Sequence, residues 1–226
     1  TVTGSATYTA YYKTQYEVTF GLSYVGVDFT GVVVTIDENK YNVTCLPVSF
    51  WWDNATSHTF AFQSPLIVAS DVKRYVWNST SGLSHLQGDS IALSASGNIN
   101  GNYKTQYRVF FTQSGVGTDF TGTVVTVDKT EYNVGGLPVS FWWGFNSSHT
   151  FTFQSPLAVA ANAKQYVWNS TTGLSSMQSS SINVSMCESL IGNYRTEYYL
   201  KISTNFGTAN PNSGWHDAGS TVQISA

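Results

Sequence analysis

Charge is scarce in this chain. Ten Lys and Arg and thirteen Asp and Glu among 226 residues make 10% charged side chains, against roughly 25% in an average soluble protein, and the net charge is −3. No basic cluster occurs, which excludes the electrostatic footprint of a nucleic-acid binder or of a protein held on an anionic membrane surface. The two cysteines are too few for a disulfide scaffold. No apolar run approaches the roughly 18–20 residues that cross a bilayer, so no membrane span is expected. No Met and no basic-then-apolar leader open the chain, and Thr1 reads as the end left after removal of a signal peptide. Also missing are Gly-X-Ser-X-Gly, a phosphate-binding glycine loop and a Cys–His pair at a useful spacing, so neither an enzyme nor a cofactor is expected. A surface this poor in ionisable groups changes little in charge between neutral and acid pH, which suits an acidic exterior.

What the chain has is Ser, Thr, Asn, Gln and Tyr for polarity, and 42% hydrophobic residues, enough for real cores. It also has a period. Tyr12-Lys13-Thr14-Gln15-Tyr16 returns as Tyr103-Lys104-Thr105-Gln106-Tyr107 and, drifted, as Tyr194-Arg195-Thr196-Glu197-Tyr198, with steps of 104 − 13 = 91 and 195 − 104 = 91 residues. The first two copies align without a gap at roughly 60% identity, the mark of a tandem array. Four segments follow: 1–11, repeat one at 12–100, repeat two at 101–192, and a remnant at 193–226 that starts like a third repeat.

Each repeat reads as six or seven short strands rich in β-branched and aromatic residues, separated by Gly, Asp, Asn and Pro. In repeat one they are expected at 14–20, 31–36, 48–52, 58–62, 73–77 and 90–95, and no amphipathic helical window competes. The fold class is all-β: tandem antiparallel immunoglobulin-like β-sandwiches. Residues 1–11 alternate cleanly, with Val2, Gly4, Ala6, Tyr8 and Ala10 on one face. By the period, Val2 falls on Leu93 in the strand at 90–95, so the chain opens with what looks like the closing strand of a repeat whose other strands are absent. A lone strand cannot satisfy its own backbone, and the 34-residue remnant is too small for a core of its own. Donation of the first strand to the next subunit would satisfy both ends and build a head-to-tail homopolymer. Fold-back of residues 1–11 onto repeat one is the alternative.

The runs Gly101-Asn102-Tyr103-Lys104-Thr105-Gln106-Tyr107, Trp77-Asn78-Ser79-Thr80-Ser81-Gly82-Leu83 and Ser213-Gly214-Trp215-His216-Asp217-Ala218-Gly219-Ser220 resemble repeats of secreted archaeal surface proteins. The chain as a whole is similar to the subunits of archaeal threads, glycosylated filaments of thermoacidophiles such as the Sulfolobales. The resemblance implies an extracellular β-sandwich pilin joined by donor-strand complementation, with a role in adhesion or biofilm. The donor strand would map onto Thr1, Val2, Thr3, Gly4, Ser5, Ala6, Thr7, Tyr8, Thr9 and Ala10.

Six Asn-X-Ser/Thr sequons stand at Asn42, Asn54, Asn78, Asn146, Asn169 and Asn183, and N-linked glycans are expected. Asn54 and Asn146 share a hairpin tip, Asn78 and Asn169 are read on one turn, and Asn183 falls within a strand. Cys45 and Cys187 occupy different places in the repeat, and a bridge between them, within or between subunits, is expected. His58 and His149 are equivalent, but no further ligands accompany them, and a structural role is expected. Asp28, Asp119, Asp37 and Asp128 flank turns, where Asp bonds locally. One tryptophan of each pair, Trp51-Trp52 and Trp142-Trp143, belongs to a core. The other could stack on a sugar, which leaves a monomeric adhesin or carbohydrate-binding module, with cell-surface glycans as partner, as the second reading.

Overall fold

A computed structural model describes every residue except Val2, Ala6, Ala209 and Ala226. The first unit holds β1 (Gln15–Ser23), β2 (Val32–Ile36), β3 (Asn39–Asn42), β4 (Val48–Asp53), β5 (Ser57–Phe62), β6 (Leu66–Ala69), β7 (Lys73–Gly82), β8 (Gly88–Ala92) and the start of β9 (Gly97–Ser114). The second holds the rest of β9, β10 (Thr123–Val127), β11 (Thr130–Asn133), β12 (Val139–Gly144), β13 (Ser148–Phe153), β14 (Leu157–Ala160), β15 (Lys164–Gly173), β16 (Ser179–Asn183), β17 (Glu188–Leu200) and β18 (Gly214–Asp217). The two compact units are Thr1–Gln106 and Tyr107–Ala226. The division at 106/107 lies six residues beyond the boundary expected at 100/101, and both places fall within β9.

Each unit is a sandwich. In the first, a four-stranded sheet ordered β3-β2-β5-β8 faces a sheet ordered β6-β7-β9-β1-β4; in the second, β11-β10-β13-β16 faces β14-β15-β17-β9-β12. Period-two alternation explains the core. On β1, Val18 and Phe20 point inward and are wholly buried, as are Val33, Val34 and Phe62 from the facing sheet. Phe20 meets Phe50, Trp52 and Phe60 edge-on, with ring centroids 5.6–6.1 Å apart. Phe111 repeats those contacts with Phe141, Trp143 and Phe151 in the second unit. A polar clasp pins the loop after β1. Tyr75 donates to Asp28 Oδ1 at 2.6 Å and Lys73 Nζ lies 2.7 Å from Oδ2, and Tyr166, Lys164 and Asp119 repeat the clasp. These aspartates thus bond across the sandwich as well as within turns.

Two expectations change. The strand expected at 90–95 is β8, at 88–92, and it belongs to the four-stranded sheet. The strand that closes the other sheet is the start of β9, and it runs parallel to β1, from Val18↔Gly97 to Ser23↔Asn102. An otherwise antiparallel sandwich carries one parallel pair per unit, because the first and last strands of a unit are joined through everything between them. The glycines of Gly97-Asn98-Ile99-Asn100-Gly101-Asn102 answer to packing. A Cβ at Gly101 would lie 2.6 Å from the Phe62 ring, and one at Gly192 would lie 2.4 Å from Phe153. By the same period, the equivalents of the closing strand at the start of the chain are residues 6–12, which overlap the expected donor segment 1–10.

Gly192→Val is expected to destabilise the second unit by about 1–3 kcal/mol through overpacking against Phe153. Thermal melting checks this, and an unchanged midpoint would contradict the close approach.

Candidate functional site

In the single chain the described residues of the expected donor segment form no strand. Among the described residues, the first ladder begins at Gln15, and Thr1, Thr3, Gly4, Ser5, Thr7, Tyr8, Thr9 and Ala10 are all exposed. Val2 and Ala6 lie outside the described residues. Tyr8, Tyr11 and Tyr12 are 91–93% exposed. Their counterparts 91 residues on include Ile99, which is wholly buried, and Tyr103, which is 2% exposed and donates to the Gln63 carbonyl at 2.7 Å. Tyr194, the third member of that series, donates to the Gln154 carbonyl at 2.9 Å, and burial pushes both the Tyr103 and Tyr194 phenols well up. Extended backbone needs a neighbour for its N–H and C=O groups, and the single chain places none beside residues 7–12.

The remnant at 193–226 is a pared-down repeat. β18 pairs with β17 from Glu197↔Asp217 to Leu200↔Gly214, as β4 pairs with β1 from Gln15↔Asp53. Its turn reproduces the β4–β5 turn. The Ala218 N–H donates to the Thr196 carbonyl (2.9 Å) as that of Asn54 does to Thr14 (2.8 Å), and Ser220 Oγ donates to the Asp217 carbonyl (2.7 Å) as Thr56 Oγ1 does to Asp53 (2.6 Å). The Arg195–Asp217 ion pair stands where Lys13–Asp53 does. A bridge between Asn210 and Ser225 takes the place of the β2–β5 ladder. On β15's side of β17, pairing ends at Lys164↔Tyr198. Among the described residues no strand covers 200–205 along that edge.

The sequons differ in setting. Asn54 and Asn146 sit exposed on the hairpin tips. Asn78 and Asn169 are exposed but lie within β7 and β15 rather than on a turn, Asn169 where the register with β17 shifts between Trp168 and Ser170. Their partner hydroxyls, Thr80 and Thr171, are 3% exposed and each accepts a tryptophan indole N–H at 3.0 Å. Asn42 uses Oδ1 to cap a 3-10 turn, accepting from Thr44 N and Cys45 N. Asn183 is exposed between inward-facing Ile182 and Val184.

Cys45 is exposed in the first unit, and its thiol is free in the single chain. Cys187 belongs to the second unit, where burial pushes its thiol up. Trp52 and Trp143 are the core members of their pairs, and Trp51 is 63% exposed. Arg108 lies 6.0 Å from the centre of the Trp142 ring.

One constellation escapes a linear reading. His149 Nδ1 lies 2.6 Å from Asp128 Oδ2 and Nε2 lies 2.9 Å from Ser147 Oγ, and the ring stacks on Trp143 with centroids 3.7 Å apart. Asp37, His58, Thr56 and Trp52 repeat it in the first unit. A serine, a histidine and an aspartate in sequence suggest a nucleophile, but proton placement opposes that chemistry. Ser147 Oγ donates its one proton to the Gly144 carbonyl at 2.6 Å, so that proton is committed to the backbone rather than offered to the imidazole. The cluster fastens one turn to another. Both partners of each set recur 91 residues apart, which was the available signal. Among the described residues, no group of three or more His, Cys, Asp and Glu side chains could hold a metal ion, and no helix is long and apolar enough to cross a membrane.

No family model and no curated protein matches the chain. Among solved structures, the major pilin protein T-13 from Streptococcus pyogenes is similar over 82% of this chain and 97% of its own, at 8% identity and a TM-score of 0.24. That degree of likeness carries no functional argument.

Burial pushes the Asp128 carboxyl up, but the bonds from His149 and Thr150 outweigh it and hold the group below its ordinary value of 3.8. The stabilisation is present above that value and is lost as pH falls through the lower folded pKa. Asp128→Ala is expected to cost about 1–2 kcal/mol at neutral pH, through loss of charge-assisted bonds, and to leave less to lose in acid. Chemical denaturation at neutral pH and below the carboxylate range checks this. An equal cost at both would contradict it.

Proposed function

We propose that this chain is the structural, non-enzymatic subunit of an extracellular filament, an archaeal surface thread that grows head to tail as each copy donates its first strand to the next. One observation carries the reading: residues equivalent to a buried closing strand are exposed at one end, and a repeat lacking that strand stands at the other. Each new ladder bond contributes about 0.5–1.5 kcal/mol net, and burial of Tyr8 adds to this at about 25 cal/mol per Å². Ordering the segment opposes both. Glycans on Asn42, Asn54, Asn78, Asn146, Asn169 and Asn183 would coat a surface short of charge, and adhesion or biofilm formation is the use such a filament would serve. The exposed Trp51 ring favours a second reading, a monomeric glycan-binding adhesin.

Deletion of residues 1–11 separates the two. Sedimentation and negative-stain microscopy are expected to show filaments of the full chain and folded monomers of the shortened one, since the described residues among them join no ladder in the single chain. Monomers in both cases would remove the filament reading in favour of the adhesin.

A further inference from the structure

We infer that the groove that accepts the donated strand is the open edge at residues 200–205, and that residues 7–11 of a second copy lie along it in parallel with Tyr8 opposite Ile202. This rests on the filament reading and adds its acceptor and register. The pairing within the units fixes both. In the first unit the parallel ladder runs from Val18↔Gly97 to Ser23↔Asn102; in the second it runs from Val109↔Glu188 to Ser114↔Asn193. The two ladders are the same ladder displaced by the repeat. One further step along the array puts residues 200–205 on the receiving side, and one step back puts residues 6–11 on the entering side.

The side chains agree with that register. Phe20 lies opposite Ile99, and Phe111 opposite Leu190, and all four are wholly buried. The same place in the third ladder sets Tyr8, 91% exposed in the single chain, opposite half-buried Ile202. The edge is also free to bond. Ile202 N–H donates to Ser213 Oγ at 2.8 Å, and Ser213 Oγ donates back to the Ile202 carbonyl at 3.1 Å, so the backbone of Ile202 faces β18. By alternation, the backbone groups of Lys201 and Ser203 face the open side.

The other two grooves are excluded by shape as well as by occupancy. Gly101 and Gly192 have no Cβ because the rings of Phe62 and Phe153 lie where one would be. The entering strand carries Ala10 at that place. It cannot substitute for the resident strand of either unit without displacing a buried phenylalanine. Tyr12 falls at the place of Tyr103 and Tyr194, whose hydroxyls each tie the end of the strand to a backbone carbonyl.

Cross-linking in the full chain tests the register. Thr9 and Ser203 stand where Asn100 and Gly21 do, and a Cβ on Gly21 would touch Asn100 Oδ1, so the two positions face each other. With Cys45→Ser and Cys187→Ser as background, Thr9→Cys/Ser203→Cys is expected to give a reducible ladder of covalent multimers. Ala10→Cys/Ser203→Cys, whose side chains point to opposite faces, should stay at least tenfold less cross-linked. Ser203→Pro removes an N–H that only the donated strand uses, and should cut polymer yield at least tenfold while the melting curve of the monomer is unchanged. Filaments that persist with Ser203→Pro, and never cross-link through Thr9→Cys/Ser203→Cys, would overturn this acceptor while leaving strand donation intact. Absence of filaments from the unmodified chain would overturn both.

Discussion

Extended backbone is an unfinished object: each residue presents an N–H and a C=O that only a neighbouring strand, or water, can satisfy. Everything particular to this chain follows from where that requirement is met and where it is not. Inside each unit it is met by closing the sheet with a strand that comes at the end of the repeat and runs parallel to the strand that began it. The closing segment leads directly into the first strand of the next copy, so β9 and β17 each end one ladder and begin another. Among the described residues, 7–12 join no ladder and the edge at 200–205 is covered by no strand.

The same logic sorts the side chains. Where two sheets crowd a closing strand, glycine is required, and the large rings of Phe62 and Phe153 fill the room it leaves. Where loops must be held, the chain uses few charges and places each with care: Lys73 and Tyr75 on Asp28, His58 on Asp37, and their copies in the second unit. The low charge content seen in the composition is thus not an absence of electrostatics. Many of the ionisable groups stand in short, directed contacts, which leaves the remaining surface to hydroxyls and amides.

The architecture was largely legible. The 91-residue period and the alternation of Val18, Phe20 and their copies specify the all-β sandwiches, and the strands at 31–36, 48–52 and 58–62 fall where composition puts them. The closing strand was not, because Gly and Asn are depleted in strands, and only the Phe62 ring lying on Gly101 explains their use here. The closing strand at 97–102 lies seven residues beyond the strand expected at 90–95, and its equivalents at the start of the chain shift with it. Asn78 and Asn169 read as turn residues because a bulged strand and a turn share polar composition. The aspartate and histidine of each Asp–His–hydroxyl cluster lie 21 residues apart along the chain, and only folding brings them within 2.6 Å.

The central claim is that the vacancy at 200–205 is filled by residues 7–11 of another copy. Amide hydrogen exchange measured on assembled filaments, and on the chain lacking residues 1–11, tests it most directly. The account predicts strong protection at Lys201, Ser203, Tyr8 and Ala10 in the filament, and rapid exchange at Lys201 and Ser203 in the shortened monomer, with the two sandwich cores unchanged between them. Equal exchange at Lys201 and Ser203 in both states, or new protection confined to β4 or β12, would contradict it.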